Sequence, residues 1–275
     1  MKEDLSIPVI FRVIAGGLAL LGAGAFIYAF ISDPQRAWSN YLLNNYIFLS
    51  IAMGGVFFFV IQYISQSGWS AGFKRVSEAM MSWLPFAAVF FLILYFGIHS
   101  LYHWSHEDVI ATDKLVQHKT PYLNVPFFYI RIIIYFALWV LLTQILRRYS
   151  LKEDEVGGMK YFEKSEFYSK VLIFVLAITF TLSAIDWIMS LEPHWYSTIF
   201  ALKNMVSAFL HGVSIMVLII FILNKRGYFP FLNKYHLHDF TRYIFMLAIV
   251  WGYFWFAQFM LIWYGNIPEE TMYYY

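Results

Sequence analysis

Long apolar stretches separated by short polar connections run through the whole chain. Seven of them hold the roughly 20 apolar residues with which a helix crosses a bilayer. They are residues 8–31, 41–64, 81–102, 125–146, 168–189, 197–223 and 243–264. Membrane strands are about half that length, so the pattern predicts helices. We expect an all-α fold, a polytopic transmembrane helical bundle that forms a single membrane domain over residues 1–275.

Composition agrees with a membrane protein. The chain is 61% hydrophobic and 13% charged, whereas a soluble domain carries about 25% charged residues. The net charge is +2 and no basic arm stands out, so the expected surrounding is the lipid bilayer and not nucleic acid. The chain contains no cysteine, which excludes disulfides, thiolate-bound zinc, iron–sulfur clusters and covalently attached c-type haem within it.

Basic residues are distributed unevenly between the two ends of the spans. The N-terminal segment and the connections after spans two, four and six hold fourteen of the 19 lysines and arginines, against four on the opposite side. Because cytoplasmic connections are rich in Lys and Arg, the N-terminus is predicted to be cytoplasmic. The first apolar stretch is longer than a signal-peptide core, so we expect it to be retained as a span. The chain stops at Tyr275, shortly after span seven, and we expect a longer protein.

Ionisable side chains cluster toward the predicted outer ends of the spans. Charge at membrane depth costs a few kcal/mol, and by default it marks a ligand site, an ion path or a proton relay. An outer polar pocket is predicted from His99, His103, Arg131, Glu192 and His194.

Spans five and six each carry one polar stripe at helical spacing. The stripe of span five is Thr179, Ser183, Asp186 and Ser190, and that of span six is Asn204, Ser207, His211 and Ser214. A short connection makes the two spans antiparallel neighbours, so we expect the stripes to face each other, with Asp186 and Lys203 as a candidate ion pair. His211 lies near mid-membrane, and histidine can pass protons in either direction near neutral pH. Asp186, Lys203 and His211 are therefore the candidate proton relay.

Plainer interpretations remain open for the same residues. The charges can form an ion-pair network that only fixes helix packing, with Asp186 bound to Lys203 or Arg131. His211 can be a buried histidine bonded to a neighbouring helix. His99 and His103 have the i, i+4 spacing of some metal sites, but without thiolates or a metalloprotease motif we expect no metal and no haem in this chain.

Two motifs add a family resemblance. Residues 183–198 read SAIDWIMSLEPHWYST, and residues 261–271 read LIWYGNIPEET. Both resemble the quinol:cytochrome c oxidoreductase quinone-binding subunit 2, the F subunit of bacterial alternative complex III. That family is related to the polysulfide-reductase-type (NrfD-like) membrane subunits. The motif match implies functional roles for Asp186, Glu192 and His194. Helical spacing adds Lys203 and His211 to these candidates.

The resemblance implies a subunit of a respiratory complex in the bacterial inner membrane that is not catalytic alone. Electrons from quinol would pass through iron–sulfur and c-type haem subunits to cytochrome c or directly to a terminal oxidase. No cofactor is expected in this chain except quinol or quinone. The family has a homologous sister subunit beside the iron–sulfur protein, so this chain would bind quinone, conduct protons or anchor the assembly. A secondary transporter or channel is the other alternative, although the sequence shows no inverted repeat.

Overall fold

The computed structural model describes residues 8–274, and this part of the chain is helical without a strand. Its α-helices are α1 (Val9–Ser32), α2 (Pro34–Ile64), α3 (Lys74–Met81), α4 (Leu84–Ile93), α5 (Ile98–Leu101), α6 (Glu107–Thr112), α7 (Lys114–Lys119), α8 (Val125–Val156), α9 (Met159–Trp187), α10 (Thr198–Lys225) and α11 (Lys234–Gly265). Seven helical segments are long and apolar enough to cross a membrane. The predicted seven-span α-helical bundle is confirmed.

Local chemistry sets where the long helices begin. The Asn124 side chain accepts a hydrogen bond from the Phe127 amide and so caps α8. Asn233 caps α11 in the same way and completes a capping box with the His236 side chain. Caps of this kind satisfy backbone N–H groups that have no partner within the helix. The helix starts are therefore fixed by polar residues that flank the apolar stretches.

The third span is not one continuous helix. It runs over Ala71–Leu101 as α3, α4 and α5, with tighter 3-10 turns at Ala71–Phe73 and Leu94–Gly97. Pro85 lies in the first turn of α4, where a missing backbone N–H costs nothing. A Cβ on Gly97 would lie 2.1 Å from the Trp38 ring, so only glycine lets α2 pack this closely against the turn.

Helix α2 lies at the centre of the bundle. It packs against α1, α3, α4, α9 and α10, while α8 packs against α4 and α9. The outermost helices are α1, which has no buried residue, and α11, in which only Phe240 and Leu247 are buried. Both therefore present apolar side chains to their surroundings along almost their whole length.

Glycines bring the backbones of α2 and α10 into direct contact. A Cβ on Gly54 would lie 2.2 Å from the Ala208 carbonyl oxygen, and a Cβ on Gly212 would lie 2.3 Å from the Gly54 Cα. Glycine allows the two backbones to approach this closely, and any larger residue would prevent it. This contact sets the register in which the polar side chains of the two helices meet.

The two ends of the bundle carry different connections. We call the end with the α9–α10 connection, residues 188–197, the outer end, after the orientation predicted above. The opposite end, with the α8–α9 connection at Gly157 and Gly158, is the inner end. Both glycines have positive φ angles, 70° and 76°, which favour glycine at this turn.

Candidate functional site

A buried ion pair between α8 and α9 lies at the centre of the outer end. Arg131 Nε donates to Asp186 Oδ2 at 2.8 Å, and Nη2 donates to Oδ1 at 3.1 Å. The relative exposures of the two side chains are 7% and 1%. Paired hydrogen bonds of this kind fix both the distance and the orientation of the two groups.

Tyrosines complete this outer network, which we define as Arg131, Asp186, Tyr135 and Tyr122. The Tyr135 hydroxyl donates to Asp186 Oδ2 at 2.9 Å. Arg131 Nη1 donates to the Tyr122 carbonyl at 2.9 Å, and the guanidinium lies 4.0 Å from the Tyr122 ring centroid. Partial burial and the negative charge of Asp186 raise the pKa of the Tyr122 phenol to about 12. Every charged group of the network therefore has a polar or aromatic neighbour.

The predicted ion pair between Asp186 and Lys203 is wrong, whereas the alternative pairing of Asp186 with Arg131 is confirmed. Asp186 points toward α8, where Arg131 takes both of its carboxylate oxygens. The Lys203 ammonium instead lies 3.7 Å from the centroid of the Trp255 ring on α11. The face of an aromatic ring attracts a cation, so the Trp255 ring gives the Lys203 ammonium part of the stabilisation that a carboxylate would give.

The prediction that the two polar stripes face each other is also wrong. The α9 stripe faces α8, as the hydrogen bond from Trp139 Nε1 to Thr179 Oγ1 at 2.7 Å shows. The α10 stripe faces α2, where the Ser50 hydroxyl lies 3.1 Å from His211 Nδ1. Helix α2 occupies the centre of the bundle and offers polar partners to α10, so α9 turns its stripe to the other side.

The predicted relay residues are therefore divided among three contacts. Asp186 lies in the outer network, Lys203 against α11, and His211 against α2. His211 is exposed and not buried, but it is bonded to a neighbouring helix, as the plainer interpretation predicted. Nearer the outer end, the Tyr46 hydroxyl donates to Asn204 Oδ1 at 3.4 Å, which adds a second polar contact between α2 and α10.

A crevice opens on the outer end above the outer network. Its volume is about 370 Å³. Polar and aromatic residues line part of it: His118, Lys119, Tyr122, Ser190, Glu192 and Trp195. Tyr122 belongs both to this crevice and to the outer network, so its ring and carbonyl separate the crevice from the buried ion pair.

Two predicted pocket residues take separate positions at the rim. Glu192 lines the crevice and is exposed. His194 Nε2 lies 2.7 Å from Asp113 Oδ2, at the start of α7. Lys119, whose pKa is lowered by burial, donates to the Pro193 carbonyl at 2.6 Å. These contacts fasten the α9–α10 connection onto the segment between the third span and α8.

The structure does not bring His99 and His103 into the outer network. Both side chains are exposed, and His99 Nδ1 lies 3.0 Å from the Ser105 hydroxyl. His106 Nε2 lies 2.8 Å from the His99 carbonyl oxygen. Within residues 8–274, no three His, Asp or Glu side chains converge as a metal site would require.

An inner network, which the sequence analysis missed, lies at the opposite end of the bundle. We define it as Lys74, Arg75, Glu78, Ser150 and Asp154. Glu78 is 5% exposed; it pairs with Arg75, and the Ser150 hydroxyl donates to its Oε1 at 2.5 Å. Lys74 Nζ lies 2.6 Å from Asp154 Oδ1. Sequence reasoning placed Glu78 before span three, at residues 81–102, although the i, i+4 spacing of Lys74 and Glu78 was a usable helix signal.

An aromatic layer separates the two networks. Trp139 and Trp187 are fully buried, with ring centroids 6.1 Å apart. Phe136 stacks on Trp187 at 5.8 Å, and Phe180 packs against Trp139 at 6.2 Å. The interior between α4, α8 and α9 is therefore filled with aromatic rings between the two networks.

Neither a protein-family model nor a curated protein sequence matches this chain. The resemblance described under Sequence analysis therefore remains a prediction that rests on its two motifs.

Proposed function

We propose that this integral membrane protein is a subunit of a bacterial respiratory quinol oxidoreductase and takes part in quinone binding or proton transfer at its outer end. Iron–sulfur and c-type haem subunits would carry the electrons to cytochrome c or to a terminal oxidase. The complex would lie in the inner membrane, with the N-terminus of this chain in the cytoplasm. The motif resemblance is the basis for choosing this class of complex.

The outer network beneath the crevice is the observation that supports the proposal. Oxidation of quinol releases protons, so a site that serves it needs an acceptor within hydrogen-bond reach or one water away. Asp186 and Tyr135 form a hydrogen-bonded pair of proton-carrying groups at 2.9 Å. Tyr122 lies between the outer network and an open crevice that Glu192 and His118 also line. Protons released at the crevice would have a short route to or from Asp186.

A purely structural anchor is the second candidate, and the same network favours it. Both Asp186 oxygens are already bonded, and the pair is enclosed between two packed helices. A closed pair of this kind can fix helix orientation without taking part in chemistry. The two candidates predict different behaviour for a variant that keeps the shape of Asp186 and removes its charge.

The test compares Asp186→Asn with the wild type in the purified complex reconstituted into liposomes. Quinol-dependent electron transfer and proton release are followed together. We expect at least one of them to fall by about 100-fold or more, the lower end of general acid–base contributions. Asp239→Asn is the matched control, because Asp239 pairs with Arg242 on the exposed inner surface.

The outcomes separate the roles. Lost electron transfer supports a quinol site at the outer end, whereas normal electron transfer with lost proton release supports proton conduction. Normal rates for both, in a fully assembled Asp186→Asn complex, contradict the proposal and leave the anchor.

A further inference from the structure

His211 is an unusual residue for the membrane-facing surface of the bundle. It lies midway along α10, and its side chain is exposed. Nδ1 is held by the Ser50 hydroxyl at 3.1 Å, and Ser50 itself is 5% exposed. The other ring nitrogen, Nε2, has no hydrogen-bond partner within residues 8–274. A polar atom facing hydrocarbon without a partner is costly, so a ligand or protein group is expected there.

A membrane-facing groove lies one helical turn from this histidine along α10. It has a volume of about 290 Å³ and lies between α2, the α3–α4 segment and α10. Apart from Ser82, its walls are apolar or aromatic and include Phe48, Ile51, Trp83, Phe86 and Ile215. Ile215 follows His211 by four residues, so it lies on the same face of α10, one turn toward the inner end. The groove therefore continues the surface on which the His211 ring lies.

The groove wall also contains a second unpartnered donor. Trp83 Nε1 is buried and has no hydrogen-bond partner. The Trp83 ring packs against Phe48 at 5.9 Å and against Phe86 at 5.8 Å, so the three form an aromatic wall. Phe48 and Phe86 are 55% and 60% exposed, which leaves much of that wall uncovered by this chain.

We propose that this groove binds an isoprenoid quinone, with the ring of the quinone at His211 and its tail along the aromatic wall. The choice of a quinone as the occupant rests on the function proposed above, whereas the site is a different one from the outer network. The ring oxygens of a quinone or quinol accept or donate hydrogen bonds, and an imidazole nitrogen can do either. The tail is apolar and flexible, as a groove with Phe, Ile and Trp walls requires.

The chemistry of the site favours this occupant over a phospholipid. A phospholipid chain would fill the groove but would leave His211 unpartnered, because its polar groups lie at the membrane surface and not near mid-membrane. A molecule with a polar ring and an apolar tail can bond to His211 and also fill the apolar groove.

The experiment uses a photoreactive azido-quinone on the intact purified complex, with the labelled peptides of this chain identified by mass spectrometry. We expect labelling within residues 48–52 or 211–219, and we expect excess unlabelled quinone to suppress it but excess phospholipid to leave it. His211→Phe keeps a ring of similar size and removes the hydrogen bond, so labelling should fall by roughly tenfold. Ile215→Trp should fill the groove and reduce labelling to a similar extent.

Leu218→Trp is the matched control, because Leu218 lies on α10, is 52% exposed and does not line the groove. Its labelling should equal that of the wild type. Unchanged labelling in both His211→Phe and Ile215→Trp would overturn the proposed site. Because the chain has no cysteine, Ile215→Cys can also carry a single photo-cross-linker, and efficient cross-linking to another polypeptide would show that a protein occupies the groove.

The same experiment distinguishes this inference from the proposed function. Labelling confined to crevice residues, such as His118 or Glu192, would support quinone binding at the outer end and contradict the groove site. Labelling of the groove, together with normal turnover and proton release in Asp186→Asn, would keep the groove site and remove the role proposed for the outer network.

Discussion

Two ionic networks lie at opposite ends of one helical bundle, and they differ in how far solvent reaches them. In the outer network, Arg131 and Asp186 are 7% and 1% exposed and join α8 to α9. In the inner network, Glu78 is 5% exposed, but its partner Arg75 is 38% exposed and also contacts Asp154, which is 49% exposed. The outer pair is enclosed by protein, whereas one side of the inner pair is open to solvent.

This difference in solvent exposure should determine how much stability each network loses when one charged side chain is removed. Removal of one member of an enclosed pair leaves a charge with neither a partner nor water, a loss of about 3–5 kcal/mol. At the inner end, the exposed member can be rehydrated, and exposed ion pairs contribute about 0–1 kcal/mol. The comparison implies that the outer network determines stability more strongly, although the inner network contains more charged residues.

The largest expected effect is that of Arg131→Met, which keeps much of the side-chain volume and removes the charge. It leaves Asp186 buried without its bidentate partner, so we expect a loss of about 3–5 kcal/mol of stability. The measurement is the unfolding temperature and the folded yield of the detergent-solubilised protein. A loss no greater than that caused by Arg75→Met would contradict the contrast between the two ends.

The double variant Arg131→Met with Asp186→Leu is the control for that prediction. Removing both charges should recover much of the lost stability, because neither partner is then left unpaired. Failure of the double variant to recover would mean that the shape of the pair, rather than its charge, holds α8 against α9.

An intermediate effect is expected from Glu78→Gln at the inner end. The amide keeps the size of the side chain but weakens its hydrogen bonds with Arg75 and Ser150. Hydrogen bonds to charged groups contribute about 1.5–3 kcal/mol each, and the partial exposure of Arg75 reduces the net loss to about 1–2 kcal/mol. Denaturant unfolding should show this loss, and Asp154→Asn, at the exposed edge, should change stability by less than about 1 kcal/mol. Equal losses of stability for the two variants would show that burial of Glu78 does not increase its contribution to stability.

The smallest effect is expected from acidification of the outer surface. Burial of the Asp113 carboxyl acts to raise its pKa, but hydrogen bonds from two α7 backbone N–H groups and the nearby His194 ring together lower the pKa below 3.8. A lowered pKa in the folded state means that the contribution of Asp113 to stability is complete above about pH 4–5. It is lost as the pH falls through the lowered value.

Pepsin cleavage measures this local effect, because the enzyme is active in acid. We expect cleavage within residues 107–119 to increase below about pH 4 in the wild type, after correction with a reference substrate. In Asp113→Asn the cleavage should already be high at pH 5, whereas Asp108→Asn should behave as the wild type. The same pH profile in Asp113→Asn and the wild type would contradict the role of Asp113.

Sequence reasoning found most members of the candidate site, and it offered both Lys203 and Arg131 as partners of Asp186 without deciding between them. Asp186, Arg131 and Glu192 were singled out because charge is rare in apolar stretches, and they lie at the crevice or directly beneath it. Lys203 and His211 were found by the same signal, yet they contact α11 and α2. Spacing identifies which residues share a helix face, but it does not say which neighbouring helix that face meets.

The amino-acid sequence by itself determined the helical class of this protein and the seven apolar segments that form candidate spans within residues 8–274. An apolar stretch of about 20 residues must satisfy its backbone hydrogen bonds within its own helical turns when it lies in lipid, so its length is sufficient evidence. The tertiary structure alone decided that Asp186 pairs with Arg131, that His211 meets Ser50, and that Glu78 belongs to an inner network. Those contacts depend on which helices become neighbours, and the close approach of Gly54 and Gly212 shows that backbone packing, rather than charge, sets part of that arrangement.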